Sequence, residues 1–320
     1  MEIFITQYGE LSGVKHYDLY ENGSLKQCVL GKLNILKTNY GDLIPQYDYV
    51  DVRKKYINSL TLFTDGSLER ISLNAQTIID TPIGKLPLEL ITFHPNGSIC
   101  RAFPLNGQLS AYWDEDQEFK LSTEIPLNFS FGSFTTRITS IFFYENASVK
   151  GLSLWAGNII TIDTPLGRQD VRVGLSIHQN GNLKSFEPAT PLDIETSIGV
   201  LTAFDASNDN LFKDDKSVSF HENGSLHSII TSIDKVTVTD RNNIYHIYEP
   251  NFNSNILDNE DYIYPLRVSF NKDKVTFNNK DSYSINECSF EIERRKDVES
   301  LHCTECINCN NCSTNSLTLV

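Results

Sequence analysis

Four cysteines near the end of the chain carry its sharpest chemical potential: Cys303, Cys306, Cys309 and Cys312, in His302-Cys303-Thr304-Glu305-Cys306-Ile307-Asn308-Cys309-Asn310-Asn311-Cys312. Regularly spaced thiolates suit metal ligation, because several soft sulfurs must converge on one ion or cluster. Ionised thiolates also repel one another. A bound cation would offset that repulsion, lower the thiol pKa values and release protons on binding. The flanking residues are mostly polar, so the expected site is exposed and open to exchange. The competing account is a flexible tail of free or reversibly oxidised thiols. Metal binding is the expectation carried forward, with zinc or an iron-sulfur cluster as the cofactor and Cys288 as a distant alternative fourth ligand.

The first three of these cysteines resemble the Cys-x-x-Cys-x-x-Cys run of ferredoxin-type iron-sulfur sites. The fourth stands one residue earlier than in that run, and no proline follows it. Zinc usually draws two Cys-x-x-Cys pairs from separated knuckles, whereas this run is contiguous. The residues therefore leave the metal open.

Other reactive side chains are spread through the body of the chain. His94, His178 and His221 occupy equivalent places two residues before a turn, where Tyr20, Phe63 and Tyr144 stand in the matching segments. Matched histidines suggest a metal or acid-base array. Their alternation with Tyr and Phe favours a ladder of rings supporting the loops, and no carboxylate recurs beside them. Asp114, Glu115 and Asp116 follow Trp113 and offer a glycosidase-like or calcium-binding cluster, with Trp113 and Trp155 as sugar-stacking rings. The plainer expectation is an acidic solvated loop with core or rim aromatics. Gly-x-Ser-x-Gly, His-Glu-x-x-His, phosphate-binding glycine loops and dinucleotide fingerprints do not occur. No catalytic residue is therefore assigned, and a non-enzyme is expected.

The elements that must position these groups follow from one recurring stretch. Phe93-His94-Pro95-Asn96-Gly97-Ser98-Ile99 has counterparts centred on Asn22, Asp65, Asn146, Asn180 and Asn223. Pro, Asn and Gly in that order suit a type I turn followed by a left-handed residue, so each copy predicts a three-residue hairpin loop with a bulge. Three residues before the turn stand Leu19, Leu62, Phe93, Phe143, Ile177 and Phe220; three after it stand Leu25, Leu68, Ile99, Val149, Leu183 and Leu226. All are apolar, which predicts one core-facing side per hairpin. Ala147 replaces the turn glycine in one copy and should make that hairpin the weakest. A second turn class, Thr81-Pro82-Ile83-Gly84 and Thr164-Pro165-Leu166-Gly167, with Thr196-Ser197-Ile198-Gly199 less completely, alternates with the first. Similar spacings between counterparts point to tandem duplication.

The expected fold class is all-β, with tandem antiparallel hairpin repeats forming an open or rolled meander and a closed β-propeller as the alternative. Residues 1–240 are read as the hairpin-repeat domain, 241–300 as a closing β segment and 301–320 as a flexible cysteine-rich tail. Leu105-Asn106-Gly107-Gln108-Leu109 reads as an extra hairpin, and no segment shows a capped helical period.

Tyr20-Glu21-Asn22-Gly23-Ser24-Leu25-Lys26 and Phe143-Tyr144-Glu145-Asn146-Ala147-Ser148-Val149-Lys150 resemble the hairpins of MORN-type repeats, including the variants in bacterial antitoxin-like proteins. The resemblance covers the hairpin cores alone. It implies an elongated antiparallel sheet that acts by binding partners.

Charge narrows the partner classes. With 41 acidic and 27 basic side chains, the net charge of -14 opposes phosphate backbones and anionic lipid. The densest basic run, Arg294-Arg295-Lys296, is flanked by Glu291, Glu293, Asp297 and Glu299. Met1-Glu2-Ile3-Phe4-Ile5 lacks the basic start and long apolar core of a signal or membrane segment. The Asn-x-Ser sequons at Asn22, Asn96, Asn146 and Asn223 are what the turns themselves require. Seven cysteines, mostly crowded at one end, do not make a secreted disulfide framework, so a reducing cytoplasm is expected. The leading expectation is a non-enzymatic β-repeat binding or scaffold protein with protein partners, no nucleic acid and no membrane, whose cysteine cluster binds metal or exchanges thiols. An iron-sulfur or redox accessory protein and a carbohydrate-active enzyme are the alternatives.

Overall fold

The computed structural model describes residues 2–47, 53, 56–107, 112–207, 216–255 and 260–295. Its strands pair antiparallel, and each pairs chiefly with its neighbours along the chain. Seventeen of them form one large sheet. From one edge the path runs Glu2–Thr6, Gly9–Leu19, Leu25–Leu30, Leu60–Leu62, Leu68–Thr81, Gly84–Phe93, Ile99–Phe103 and Ile138–Phe143. It continues through Val149–Leu154, Gly167–Ile177, Leu183–Pro188, Val218–Phe220, Leu226–Thr231, Leu266–Asn271 and Lys274–Phe277 to Asp281–Ser284. Ile160–Thr164 joins beside the first half of Gly167–Ile177. The sheet is an open meander. Leu266–Asn271, Lys274–Phe277 and Asp281–Ser284, from the 241–300 segment, form one border of this sheet. A propeller would divide these strands among separate blades, and the continuous path sets that alternative aside.

All six recurring turns share the same two backbone bonds and a bond from the backbone N–H two residues after the centre to the central Asn or Asp side chain. In the Asn96 turn, His94 N donates to Ser98 O at 2.8 Å and Gly97 N to His94 O at 2.8 Å, while Asn96 Oδ1 accepts from Ser98 N and Oγ at 2.9 and 2.7 Å. An Asn or Asp side chain thus closes a turn whose backbone alone would leave these donors to water. The fourth position needs the left-handed region. Ala147 adopts it at φ 68°, close to the 81° of Gly97. Ala147→Gly is therefore expected to raise stability by up to about 1 kcal/mol, less the added freedom of glycine in the unfolded chain. Urea unfolding would check this, and a clear loss of stability would refute the strain.

Nine of the twelve inward positions are buried as the pattern requires, Val149 and Leu226 are half-buried against the core, and Leu19 departs from the pattern. Leu19 is 45 % exposed, although it stands where Leu62, Phe93, Phe143, Ile177 and Phe220 are buried. The edge strand Glu2–Thr6 covers its neighbour only as far as Val14, so Leu19 has no strand on that side.

The second turn class heads a set of arms that join the same core as the sheet. The Thr hydroxyl of each arm turn donates to the Gly carbonyl three residues on, at 2.6 to 2.8 Å for Thr6, Thr38, Thr81, Thr164 and Thr196. The turn at residues 6–9 belongs to this class by its bonds. It carries Gln7 where Pro82 and Pro165 follow Thr81 and Thr164. The turns at residues 6–9 and 38–41, and the turn at residues 129–132 that joins Ile125–Phe129 to Gly132–Thr136, each rest on the second Asn or Asp turn after them. Gln7 Nε2 donates to Gly66 O at 2.9 Å, Tyr40 Oη to Gly97 O at 3.2 Å and Ser130 Oγ to Gly181 O at 3.2 Å. Apolar residues from both sets, such as Ile79, Ile162 and Leu201 of the arms and Ile71, Leu152 and Phe186 of the sheet, form one buried cluster.

A helix, Glu115–Leu121, departs from the expectation that no segment has a capped helical period. Its length of two turns gives almost no periodicity, and its true start signal is a capping box. Asp114 accepts from Gln117 N at 2.8 Å while Gln117 Oε1 accepts from Asp114 N at 2.9 Å. Leu105, Asn106 and Gly107 form no strand, and Gln108 and Leu109 of the expected extra hairpin lie outside the described residues. Ser289–Arg294 is a strand paired with Asp234–Thr239.

Candidate functional site

Four of the six ring positions, including two of the candidate histidines, bond to the next hairpin through their side chains. Tyr20 Oη donates to Leu62 O at 2.8 Å and Tyr144 Oη to Ile177 O at 2.9 Å. His94 Nε2 lies 3.0 Å from Phe143 O, and His178 Nε2 3.0 Å from Phe220 O. Each acceptor belongs to the residue three before the next turn. A carbonyl only accepts, so these imidazoles carry their proton on Nε2. The rings are latches between successive hairpins, and His94 and His178 do not converge on one another. Tyr144→Phe, which deletes one latch and leaves the ring, is expected to cost about 1 kcal/mol in thermal or urea unfolding. An unchanged midpoint would mean that water replaces the phenol at no cost.

The densest polar constellation lies elsewhere, around Arg53. Strand Gly84–Phe93 supplies Glu89, and the short helix turns Glu118 inward, where its side chain is fully buried. Arg53 bridges the two. Its Nη1 and Nη2 donate to Glu89 Oε1 and Oε2 at 3.0 and 2.7 Å; its Nε and Nη2 donate to Glu118 Oε2 and Oε1 at 2.6 and 2.7 Å. Such forked pairs match the planar guanidinium to each carboxylate. Trp113 Nε1 donates to Glu118 Oε2 at 2.7 Å, Asn106 N to Glu89 Oε2 at 2.9 Å and Gly107 N to Glu118 Oε1 at 3.2 Å. Burial pushes the Glu118 carboxyl up, but hydrogen bonds from Arg53 and Trp113 and the Arg53 charge outweigh it and hold the group below its ordinary value. An acid held ionised and bound by four donors is suited to clamping rather than giving up a proton. The clamp joins Arg53, strand Gly84–Phe93, the residues Asn106 and Gly107 and the short helix.

A second buried carboxylate, Glu187, is organised in a similar way. It accepts from Ser217 N and Oγ at 3.0 and 2.7 Å and from Asp205 N at 3.1 Å, with Arg172 Nη2 at 3.5 Å. Full burial raises its pKa against the pull of Ser217 and Arg172. Arg172 also donates to Asp205 O at 2.7 Å, and its guanidinium lies 4.3 Å from the Phe204 ring centre.

The remaining candidates are separated by this geometry. Asp114 caps the helix, and Glu115 and Asp116 are exposed in its first turn, where acids favour the helix dipole. Trp113 reaches Glu118, whereas Trp155 is buried edge-on against Phe119 with ring centres 5.8 Å apart. The proposed acidic cluster and the two Trp rings therefore do not form one sugar-facing surface. Cys28 is fully buried, and burial pushes its thiol up to about 12. Cys288 is half-buried against the core. Cys303, Cys306, Cys309 and Cys312 lie outside the described residues. Among the described residues, no group of three or more His, Cys, Asp or Glu side chains is arranged to hold a metal ion, and no helix is long and apolar enough to cross a membrane.

Sequence reasoning missed Arg53, Glu89, Glu118, Arg172 and Glu187. Arg53 stands 36 and 65 residues from its partners, and no motif links them. The capping pair Asp114 and Gln117 was the one local signal that would have placed Glu118 on a helix. No protein-family model, curated protein or solved structure matches this chain.

Proposed function

We propose that this protein is a non-enzymatic β-repeat scaffold that binds a protein partner by strand addition, and that its terminal cysteine run binds metal or exchanges thiols. The observation that carries the binding reading is apolar exposure on outer strands. Ile3 and Ile5, on Glu2–Thr6, are 60 % and 80 % exposed, and Tyr245 and Ile247, on Tyr245–Tyr248, are 70 % and 59 % exposed. Among the described residues each of these strands pairs along one side alone. Outer strands usually carry charge that discourages pairing; apolar side chains beside open backbone groups favour an incoming strand. The MORN-like hairpin residues agree with a binding role, and the net charge of -14 favours a basic partner.

The test is affinity for a purified partner, obtained by capture on the full chain. Ile5→Lys and Ile247→Lys are compared with Ile78→Lys, a control at another exposed apolar position. Weakening of tenfold or more in an edge variant alone supports the reading. Failure to find a saturable partner, or equal affinity in all variants, refutes it. For the cysteines, metal analysis of anaerobic protein is expected to show metal that Cys306→Ser with Cys309→Ser removes. The melting temperature should stay unchanged, because the core draws on residues from Leu11 to Phe277. Protein that holds no zinc, iron or copper and takes up none leaves thiol exchange.

A further inference from the structure

We propose that His221 and His227 form a two-imidazole site for a divalent first-row transition cation such as zinc. His94 and His178 spend Nε2 on a carbonyl belonging to the next hairpin. Asn223 centres the last turn of its form, so its ring, His221, has no such successor. Its Nε2 instead lies 3.3 Å from Nδ1 of His227, with ring centres 4.4 Å apart and planes inclined by 61°.

His227 is equally particular to this turn. The position four residues after the turn centre carries Lys26, Glu69, Cys100, Lys150 and Lys184 in the other copies. In the first of them the Lys26 ammonium stands 5.6 Å from the Tyr20 ring centre, so the fold brings these two positions together as a rule. At the last turn both are imidazoles.

The separation suits a shared ion. Two nitrogens at about 2.0–2.1 Å from one tetrahedral cation lie about 3.3–3.4 Å apart, whereas a direct nitrogen hydrogen bond prefers about 2.9–3.0 Å. The 3.3 Å spacing fits that bite, and without an ion one ring can donate to the other across the same distance. The backbone that bears the rings is already fixed. His221 N donates to Ser225 O at 2.8 Å, Gly224 N to His221 O at 2.9 Å, and Asn223 Oδ1 accepts from Ser225 N at 3.0 Å. Both residues are exposed, so water can reach a bound ion there, and neutral imidazole suits zinc, copper and nickel.

The test is a zinc titration of the full chain with nitrogen-15-labelled histidine, read by the imidazole nitrogen shifts. His221→Gln and His227→Gln assign the signals and, being surface changes, should leave circular dichroism unaltered. Because the terminal cysteines compete, zinc is added beyond the amount they take up. The expected result is that His221 and His227 shift together and saturate with a single ion, while His94 and His178 do not move. In His227→Gln, the zinc affinity read at His221 should fall at least tenfold. The proposal is overturned if the two signals stay fixed in excess zinc, if they move independently, or if His227→Gln leaves the response of His221 unchanged.

Discussion

Gly174→Ala is expected to destabilise the protein by about 4 kcal/mol, the sum of roughly 1–3 for backbone strain and roughly 1–3 for overpacking. Gly174 has φ 147°, and a Cβ there would lie 2.2 Å from the Leu152 carbonyl oxygen and 3.0 Å from Ser153 Cα. Neither neighbour is the free end of a flexible side chain. Across the pairing, a Cβ on Gly151 would come 2.7 Å from Leu175 O, so two strands approach backbone to backbone. This is also where Gly167–Ile177 turns from its arm partner, Ile160–Thr164, to its sheet partner, Val149–Leu154. The bend falls at Val173, with φ 63°, and Gly174. Gly157→Ala is the control: its φ is 76° and nothing lies within 4 Å of an added Cβ, so the expected cost is about 1 kcal/mol. Equal costs in chemical denaturation would show that the corner yields.

Arg53→Met should cost about 3–5 kcal/mol, because it removes the one cation shared by two carboxylates in the buried clamp. The pH dependence separates this cause from lost packing. In the parent, Glu118 has a folded pKa below its unfolded one. Its contribution is therefore present above the unfolded pKa and lost as the pH falls through the folded value. In Arg53→Met the carboxyl keeps its burial and loses its cation, so its folded pKa should rise above the unfolded one. The variant's deficit should then be largest at neutral pH and shrink on acidification. A deficit independent of pH between neutrality and the carboxylate range would refute the charge argument and leave methionine packing as the cause.

The hairpins were legible because their signals are local. Asn, Gly and Ser occupy consecutive places, and apolar residues at fixed distances on either side face the core, as Phe93 and Ile99 do. Ala147 could be placed in the left-handed region from its alignment with five glycines. The path of the sheet followed from hairpins joined in order. Other features depend on what the chain meets in space. Leu19 is exposed because the edge strand stops short of it. The fold-over of the arms is set by contacts such as Tyr40 on Gly97, 57 residues away. The Arg53 clamp resisted reading for a related reason, since a single Arg in a polar connection and a Glu in an apolar strand look ordinary until they meet. The histidines show the reverse. Their recurrence was plain, but the role of each depends on whether another hairpin follows.

The order of strands has a mechanical consequence. Glu2–Thr6 and Asp281–Ser284 lie at opposite borders of the sheet, and each remaining strand is held mainly by the strands before and after it. A pull applied through these two strands meets ladder bonds a few at a time, as in opening a zipper, instead of loading a whole interface in shear. Extension should therefore proceed from the borders inward through many small, low-force steps. The ring latches and the arm turns, which bind a segment to one made later in the chain, would be the points at which each step pauses.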